Sequence, residues 1–253
     1  MSNVSISTNS LSIGYSSQNS EVRVQTDLTF SLNVGEMVCM LGPNGCGKST
    51  LLRTLAGLQS PLSGEYKLIA NGEVRPATAK DIALVLTERL SLENTTVHDV
   101  VAMGRYPYTS FLGGLTETDE HIIAEALGQV GFDLLTFNCL LSFFNAHSDG
   151  EKQRILIAKA LAQQAPIILL DEPTAHLDLP HRILVLRLLR QLAHEQHKTI
   201  LISTHELDLA LALSDRILLM TPGKGIQLDT AENLKKTNAF TSAFGMDIFN
   251  PLG

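Results

Sequence analysis

The sequence lacks the patterns that mark disulfide frameworks, membrane spans or metal-binding cysteine clusters. It contains three cysteines, no tryptophan and an aromatic content of 5%. Cys39, Cys46 and Cys139 lie at wide, irregular spacings without a metal-ligand or disulfide pattern, which favours a reducing compartment. No apolar run approaches the ~20 residues that cross a bilayer, and no basic start followed by an apolar block marks a secretory signal. We therefore expect a cytoplasmic protein that does not itself span the membrane.

Positive charge is also scarce. The formal net charge is -7, from 19 lysines and arginines against 26 acidic residues. Such a chain has no basic field to attract nucleic acid, so we expect no nucleic-acid partner. The 253 residues, 44% of them hydrophobic, are enough to bury a sizeable core.

Strand and helix patterns alternate along most of the chain. Short apolar segments around Val4–Tyr15, Val22–Leu32 and Glu36–Leu41 predict strands, and the dipeptide Asn71-Gly72 predicts a hairpin turn. The apolar runs at 167–171 and 199–203 are typical of strands buried on both faces of a parallel sheet, with an amphipathic helix predicted between them. The alternation predicts an α/β fold with a mainly parallel sheet.

Between about residues 88 and 147 the pattern becomes helical. Thr96 and Thr116 each precede an apolar-periodic segment and are predicted to be helix N-caps. We interpret the chain as one domain, 1–253. Its core would comprise residues 1–87 and 155–253, including an antiparallel β subdomain, and its helical insert residues 88–154.

A glycine-rich run lies between a predicted strand and a predicted helix. GPNGCGKST matches the phosphate-loop pattern G-x-x-x-x-G-K-[ST] in the context that the pattern requires. Its backbone N–H groups can surround phosphate oxygens at a helix N-terminus, where Lys48 would reach the β- and γ-phosphates and Ser49 would ligate Mg²⁺. The alternative is an ordinary glycine turn. The candidate ATP-binding residues are Gly42, Pro43, Asn44, Gly45, Cys46, Gly47, Lys48, Ser49 and Thr50.

Three further candidates follow predicted core strands. Asp171 and Glu172 end the first apolar run, at the edge where parallel sheets bind ligands. We expect Asp171 to hold Mg²⁺ through water and Glu172 to orient or deprotonate the attacking water. His205, after the second run, can hydrogen-bond the γ-phosphate or that water. The alternatives are a solvated acid pair and a histidine that is only a buried polar group.

These motifs, in this order, resemble the ATP-binding subunit of ABC transporters. The stretch SDGE resembles the family's signature, with His147 standing where leucine is usual. The resemblance identifies Tyr15 as the aromatic that stacks on adenine, Asp178 as the D-loop aspartate and His205 as the switch histidine. The signature residues are Ser148, Asp149, Gly150 and Glu151.

The resemblance also implies an assembly. Two such chains stack head to tail as a homodimer, and each ATP lies between the phosphate loop of one chain and the signature of the other. Two transmembrane permease subunits convert ATP binding and hydrolysis into transport. The chain would then be a peripheral protein on the cytoplasmic face of the cell membrane.

One segment suggests the kind of transporter. TVHDVVAMGRYPY, residues 96–108, resembles the helical insert of importers for iron chelates such as siderophores and haem, or for cobalamin, which receive their cargo from a substrate-binding protein. The alternative is an amphipathic helix and turn packed only for stability, with Val97, Val100 and Val101 facing inward in either case. An exporter subunit, a soluble ABC ATPase and a small P-loop kinase are the competing functions.

Two positions carry separate expectations. Thr87 stands where the family has a glutamine that touches Mg²⁺, so we expect weaker metal contact there, with Glu88 as the neighbouring oxygen donor. Cys46 lies within the phosphate loop, where the helix N-terminus and Lys48 are expected to lower its thiol pKa and make it reactive. The alternative is that Cys46 merely fills a position that needs a small residue.

Overall fold

The computed structural model describes residues 4–17, 20–70, 72–86, 92, 94–109, 114–132, 140–246 and 249. Its centre is a six-stranded sheet with strand order β10-β9-β3-β8-β7-β6. All neighbouring pairs are parallel except β9 and β10, which confirms the mainly parallel sheet. The strands are β3 (Met37–Leu41), β6 (Ile82–Val85), β7 (Ile167–Asp171), β8 (Thr199–Ser203), β9 (Arg216–Thr221) and β10 (Gly225–Asp229).

A second, antiparallel sheet has the strand order β2-β1-β4-β5. The register pairs Ala70 with Glu73, which confirms the predicted hairpin. This sheet is the expected β subdomain, and it packs over one face of the central sheet together with the helix that follows the phosphate loop. Its strands are β1 (Val4–Ser17), β2 (Ser20–Leu32), β4 (Ser63–Ala70) and β5 (Glu73–Arg75).

Helices cover the other face and the region beyond it. Thr96 and Thr116 are N-caps as predicted, each accepting a hydrogen bond from the backbone N–H three residues later. The helices are α1 (Lys48–Leu55), α2 (Val97–Ala102), α3 (Glu117–Gln129), α4 (Asp149–Ala162), α5 (Leu179–Gln196), α6 (Leu207–Leu213), α7 (Ala231–Lys236) and α8 (Ala239–Phe244). Two 3₁₀ turns span Met103–Tyr108 and Phe144–Ala146.

The apolar core has two parts, one on each face of the central sheet. Alternate residues of β3 point to opposite sides: Val38 and Met40 pack with β1 and α1, while Cys39 and Leu41 pack with the helices. On the helical side, α2 and α3 pack against α4, and α4 also contacts β6. The expected boundary between residues 154 and 155 lies inside α4. None of the helices in the described residues has the length and apolar character of a membrane span.

Candidate functional site

The phosphate loop connects the buried strand β3 to α1. Gly47 is the N-cap of α1 with φ 104°, a left-handed conformation that glycine adopts without strain. The helix begins without a side-chain cap and without an acidic residue in its first turn. The Lys48 ammonium is buried and donates hydrogen bonds to the carbonyl oxygens of Gly42 (2.8 Å) and Pro43 (3.2 Å). The loop therefore places a lysine ammonium beside an open helix N-terminus, an arrangement that suits an anion.

The loop is held from β1 and β2. The Tyr15 hydroxyl is 3.1 Å from Thr50 Oγ1, and the Tyr15 side chain is 52% exposed beside α1. Gln25, which the sequence analysis did not identify, donates from Nε2 to the carbonyl oxygens of Cys46 and Thr221, both at 3.1 Å. Tyr15 thus offers an aromatic face next to the loop, and Gln25 fixes the loop against β9.

The expectation that the pKa of the Cys46 thiol is lowered is wrong, because the pKa is raised. Burial is the largest influence and raises the pKa of Cys46, outweighing the lowering by Lys48 and by backbone hydrogen bonds. The residue is 2% exposed, and its Sγ packs close to Gly42. The thiol is therefore a buried part of the loop's packing. The alternative that Cys46 fills a position that needs a small residue agrees with this burial.

The carboxyl ends of β7 and β8 bring the other candidates together. Asp171 pairs with Ser203 across the two strands, and Ser203 Oγ donates to Asp171 Oδ1 at 2.5 Å. The backbone N–H of Glu172 donates to both the carbonyl oxygen and the hydroxyl of Ser203, at 3.1 and 2.9 Å. Glu172 has φ +47°, an uncommon conformation for a residue with a side chain.

His205 meets Glu172 at this edge. The His205 Nε2 atom lies 2.6 Å from Glu172 Oε1, and both side chains are partly exposed to solvent. Asp171 accepts a hydrogen bond from Ser203, whereas Glu172 contacts His205, so the two adjacent acids have different neighbours. The structure thus joins the predicted acid and histidine in one solvent-accessible pair.

Asp178 begins the helix α5 that follows this edge. Its carboxylate accepts a hydrogen bond from the His181 backbone N–H at 3.1 Å and also contacts the His181 ring. Arg182 donates to the Leu177 carbonyl oxygen at 2.6 Å and pairs with Glu206 at 2.5 Å. Arg182 therefore ties the start of α5 to the residue after His205. The pairing of Arg182 with Glu206 could not be predicted from the sequence, because the two residues are 24 positions apart.

The signature residues form the N-terminus of α4. Ser148 is the N-cap: its hydroxyl donates to Glu151 Oε2 at 2.7 Å, and the Glu151 backbone N–H donates back to it at 3.3 Å. The hydrogen bond from the Ser148 hydroxyl lowers the pKa of Glu151 most, and the hydrogen bond from the Ser148 backbone N–H lowers it further. Gly150 lies against α5, where a Cβ atom would be 3.0 Å from His181 Cδ2. Asp149 is exposed beside them.

The turn after α2 is anchored to the helical region. The buried Arg105 pairs with Asp119 at 2.7 Å and donates to the Ala162 carbonyl oxygen at 2.7 Å. The Tyr108 hydroxyl donates to the Gln163 carbonyl oxygen at 3.0 Å, whereas the Tyr106 side chain is 64% exposed. The expectation that the three valines Val97, Val100 and Val101 face inward is confirmed.

The predicted residues fall into two groups. Helix α1, which follows the phosphate loop, packs against β1 and β7, and β7 ends at Asp171. The signature lies on α4, which packs against α2, α3 and β6. Thr87 and Glu88 lie outside the described residues.

Comparison with known proteins identifies the family. Residues 25–175 match the family described as "ABC transporter". An uncharacterised ABC transporter ATP-binding protein of Methanocaldococcus jannaschii is 42% identical over 236 residues, covering 91% of this chain and 78% of the relative. The achromobactin transport ATP-binding protein CbrD of Dickeya dadantii is 39% identical, covering 84% of this chain and 77% of its own. The iron(3+)-hydroxamate import ATP-binding protein FhuC of Bacillus subtilis is 35% identical, covering 96% and 88%.

Solved structures agree on the fold. A structure described as an inward-facing metal-chelate type ABC transporter superposes with a TM-score of 0.81 at 32% identity, covering 96% of this chain and 90% of that one. A dimeric ATP-binding cassette bound to ADP and Pi superposes with a TM-score of 0.72 at 23% identity, covering 89% and 98%. The second likeness concerns the fold alone.

Proposed function

The chain belongs to the ABC transporter family as an ATP-binding, ATP-hydrolysing subunit, and from this premise we propose that it powers the import of an iron chelate. In this proposal two copies of the chain act on two transmembrane permease subunits at the cytoplasmic face of the cell membrane. A substrate-binding protein delivers the chelate to the permease from the other side.

The observation that carries the hydrolytic function is the pair formed by Glu172 and His205. Their side chains lie 2.6 Å apart, just after the ends of β7 and β8, and α1 packs against β7. Glu172 accepts a proton from the attacking water, whose oxygen forms a bond to the γ-phosphorus as the bond to the ADP oxygen breaks. His205 contacts the Glu172 carboxylate and would contact the γ-phosphate. The left-handed backbone at Glu172 supports this role, because such strain is concentrated at functional sites.

ATP binding is assigned to the phosphate loop and Tyr15. The Lys48 ammonium, which contacts the loop's own carbonyl oxygens, would exchange these for the β- and γ-phosphate oxygens. The open N-terminus of α1 supplies backbone N–H donors to the same phosphates. The exposed face of Tyr15 would stack on adenine, and its hydroxyl contact with Thr50 fixes the ring beside the loop.

The oxygen donors near the loop fit Mg²⁺. Ser49 offers a hydroxyl from the first turn of α1, and Asp171 offers a carboxylate from β7, the strand against which α1 packs. Hydroxyl and carboxylate oxygens are the ligands that Mg²⁺ prefers, together with substrate phosphates and water. When bound, the metal would neutralise charge on the phosphates. Ser203 orients Asp171 for this task through its 2.5 Å hydrogen bond.

The signature is assigned to ATP held by the second copy of the chain. The N-terminus of α4 belongs to the helical region, whereas the phosphate loop belongs to the core. A head-to-tail dimer would place Ser148 and the first N–H groups of α4 against the γ-phosphate of the other copy. ATP then joins the two chains, and hydrolysis separates them. This cycle would drive the permease between its two orientations.

Iron chelates are the substrate class that the relatives favour. The names of two of them refer to achromobactin transport and iron(3+)-hydroxamate import, and a superposable structure is described as a metal-chelate type transporter. The segment from Thr96 to Tyr108 supports the same assignment through its resemblance to these importers. Tyr106 is exposed there and is available to a permease subunit.

An uptake experiment tests this proposal. Cells that depend on this chain are supplied with a labelled ferric siderophore, haem or cobalamin, and carry the parent chain or Glu172→Gln. We expect ferric siderophore uptake to fall to background with Glu172→Gln. Glu195→Gln is the matched control, because Glu195 lies on the surface of α5 and contacts only Gln191 among the hydrogen bonds described there. Uptake of haem alone would keep the substrate among the iron chelates, uptake of cobalamin alone would redirect the assignment, and no dependence on Glu172 in any assay would refute the importer function.

A further inference from the structure

His147, directly before the signature, is not used by the function proposed above. Its side chain is 14% exposed, and its ring packs edge-on against Phe132 with centroids 6.0 Å apart. The His147 Nε2 atom lies 2.7 Å from Ser142 Oγ. Packing and a hydrogen bond therefore fix the orientation of the ring, at a position where the resembled family usually has leucine.

The second ring nitrogen faces the signature. The Nδ1 atom of His147 lies 3.7 Å from Glu151 Oε2. This is the oxygen that accepts hydrogen bonds from the Ser148 hydroxyl at 2.7 Å and the Ser148 backbone N–H at 3.0 Å. One carboxylate oxygen thus connects His147 to the serine of the signature.

Two charged groups near the His147 ring, Glu151 and Arg154, would interact with a proton bound to it. Ser148 lowers the pKa of Glu151 through its hydroxyl and backbone N–H, so the carboxylate remains charged near neutral pH. Arg154 also lowers the pKa of Glu151 through its charge, and its guanidinium lies 5.1 Å from the Phe132 ring centroid. A histidine that gains a proton becomes a cation, and on His147 that charge would lie 3.7 Å from the Glu151 carboxylate.

Charge at the start of α4 opposes phosphate binding. Asp149 and Glu151 place two carboxylates in the first turn, where an approaching ATP would meet them. Lys152 Nζ lies 3.9 Å from Asp149 Oδ1 and offsets the first of these charges. Arg154 already acts on Glu151 through its charge, and a protonated His147 would add a second cation beside that carboxylate.

We propose that His147 is a positioning residue for the signature. It holds the Glu151 carboxylate, which in turn holds Ser148, and its protonated form favours ATP-dependent dimerisation. The inference rests on the proposed function, because it requires a second copy of the chain to bring its nucleotide to α4. If the dimer binds the proton more tightly than the separate chains, the affinity between ATP-loaded chains must rise as the pH falls.

Dimerisation measured against pH tests the inference. The full chain carrying Glu172→Gln, which should retain ATP, is examined by sedimentation velocity with ATP between pH 8 and pH 6. We expect an increase in dimer affinity of about tenfold toward pH 6, since each dimer contains two copies of a partly buried charge pair. Nucleotide binding to the separate chains is measured at each pH, so that a change in ATP affinity is not mistaken for a change in dimerisation.

Three variants at His147 separate charge from shape. His147→Leu, the family's usual residue, should remove the increase toward pH 6. His147→Gln can keep the hydrogen bond to Ser142 without a charge and should behave like the parent at pH 8 but not at pH 6. His147→Lys carries a permanent charge and should dimerise at pH 8 as tightly as the parent does at pH 6. The other histidines are unchanged in every variant, so their titration cancels in the comparison.

Each outcome supports or overturns the inference. The parent's pH dependence persisting in His147→Leu, or weak dimerisation of all three variants at both pH values, would overturn it while leaving the proposed function intact. A chain with Glu172→Gln that forms no ATP-dependent dimer at any pH would instead overturn the proposed function, and the inference with it.

Discussion

The chain has two helix N-termini that are candidates for phosphate contact, and they are built in opposite ways. Helix α1 begins at Gly47 without a side-chain cap or an acidic residue, and Lys48 supplies a positive charge. Helix α4 begins at Ser148, whose hydroxyl and Glu151 form a reciprocal cap, and its first turn also contains Asp149. The first end is open and cationic, whereas the second is capped and acidic.

This contrast indicates how the two ends would share one nucleotide. An open helix end with a lysine can hold a phosphate by itself. A capped end has already used some of its donors and repels an anion, so it is better suited to a phosphate that another site holds in place. The account therefore assigns affinity for ATP to α1, and the requirement for a second chain to α4.

The largest expected effect is at the open end. Lys48→Ala should weaken ATP binding to the separate chains by about 100-fold, because it removes a buried charge-assisted contact to the phosphates. Lys152→Ala, in the first turns of α4, is the matched control and should change ATP affinity by less than about threefold. Titration with a fluorescent nucleotide measures both. Equal losses in the two variants would remove the distinction between the helix ends.

The capped end should show the opposite behaviour. Ser148→Arg should leave ATP binding to the separate chain within about twofold, yet reduce hydrolysis by at least about 50-fold by blocking the γ-phosphate of the other chain. Nucleotide titration and steady-state phosphate release provide the two readouts. A loss of ATP affinity as large as that of Lys48→Ala would mean that the signature serves its own chain's nucleotide.

Glycine substitutions extend the comparison to stability. Gly47→Ala should lower the free energy of unfolding by roughly 2–3 kcal/mol. Its φ is +104°, and an added Cβ would lie 2.7 Å from Val24 Cγ1. Gly150→Ala should change that free energy by less than about 1 kcal/mol, because alanine favours the helix and the His181 side chain can shift. Urea unfolding of both variants measures the difference, and similar losses would contradict the strain assigned to Gly47.

The smallest expected effect concerns Cys46. Because burial raises its pKa above the ordinary value of 9.0, the thiol should be alkylated at least about tenfold more slowly at pH 7.5 than a free cysteine. Its rate should keep increasing as the pH rises above 9, since the thiolate is still being formed there. Mass spectrometry of the Cys46 peptide, with the urea-unfolded chain as control, measures the rate. Alkylation faster than that of the free amino acid would restore the reactive-thiol hypothesis.

Local pattern was enough to predict much of the fold. Apolar runs predicted β3, β7 and β8, and the threonine caps predicted the starts of α2 and α3, because these features depend on neighbouring residues. The cap at Ser148 was predictable in the same way, since serine followed three residues later by glutamate is a capping-box pattern. The same four residues also match the signature, and that resemblance hid the capping pattern.

Features that depend on packing could not be obtained in this way. The pKa of Cys46 depends on how deeply the loop is buried, which the sequence does not reveal. The charged neighbours of Cys46, which the sequence does reveal, predict the opposite direction. Gln25 reaches Thr221, 196 residues away, and Arg182 reaches Glu206 across two elements. Such contacts form only when the sheets and helices pack together, so no local sequence pattern predicts them.

A mixture of two inactive chains tests whether two copies of the chain share each nucleotide. Lys48→Ala lacks a working phosphate loop and Ser148→Arg lacks a working signature, so each variant alone should hydrolyse almost no ATP. In a head-to-tail mixed dimer, the loop of Ser148→Arg faces the signature of Lys48→Ala, and one complete site is restored. We predict that an equal mixture recovers at least about a quarter of the parent's hydrolysis rate, since random pairing makes half of the dimers mixed and each mixed dimer has one of two sites. A mixture that remains as inactive as its components would contradict the claim that two copies of the chain share each nucleotide.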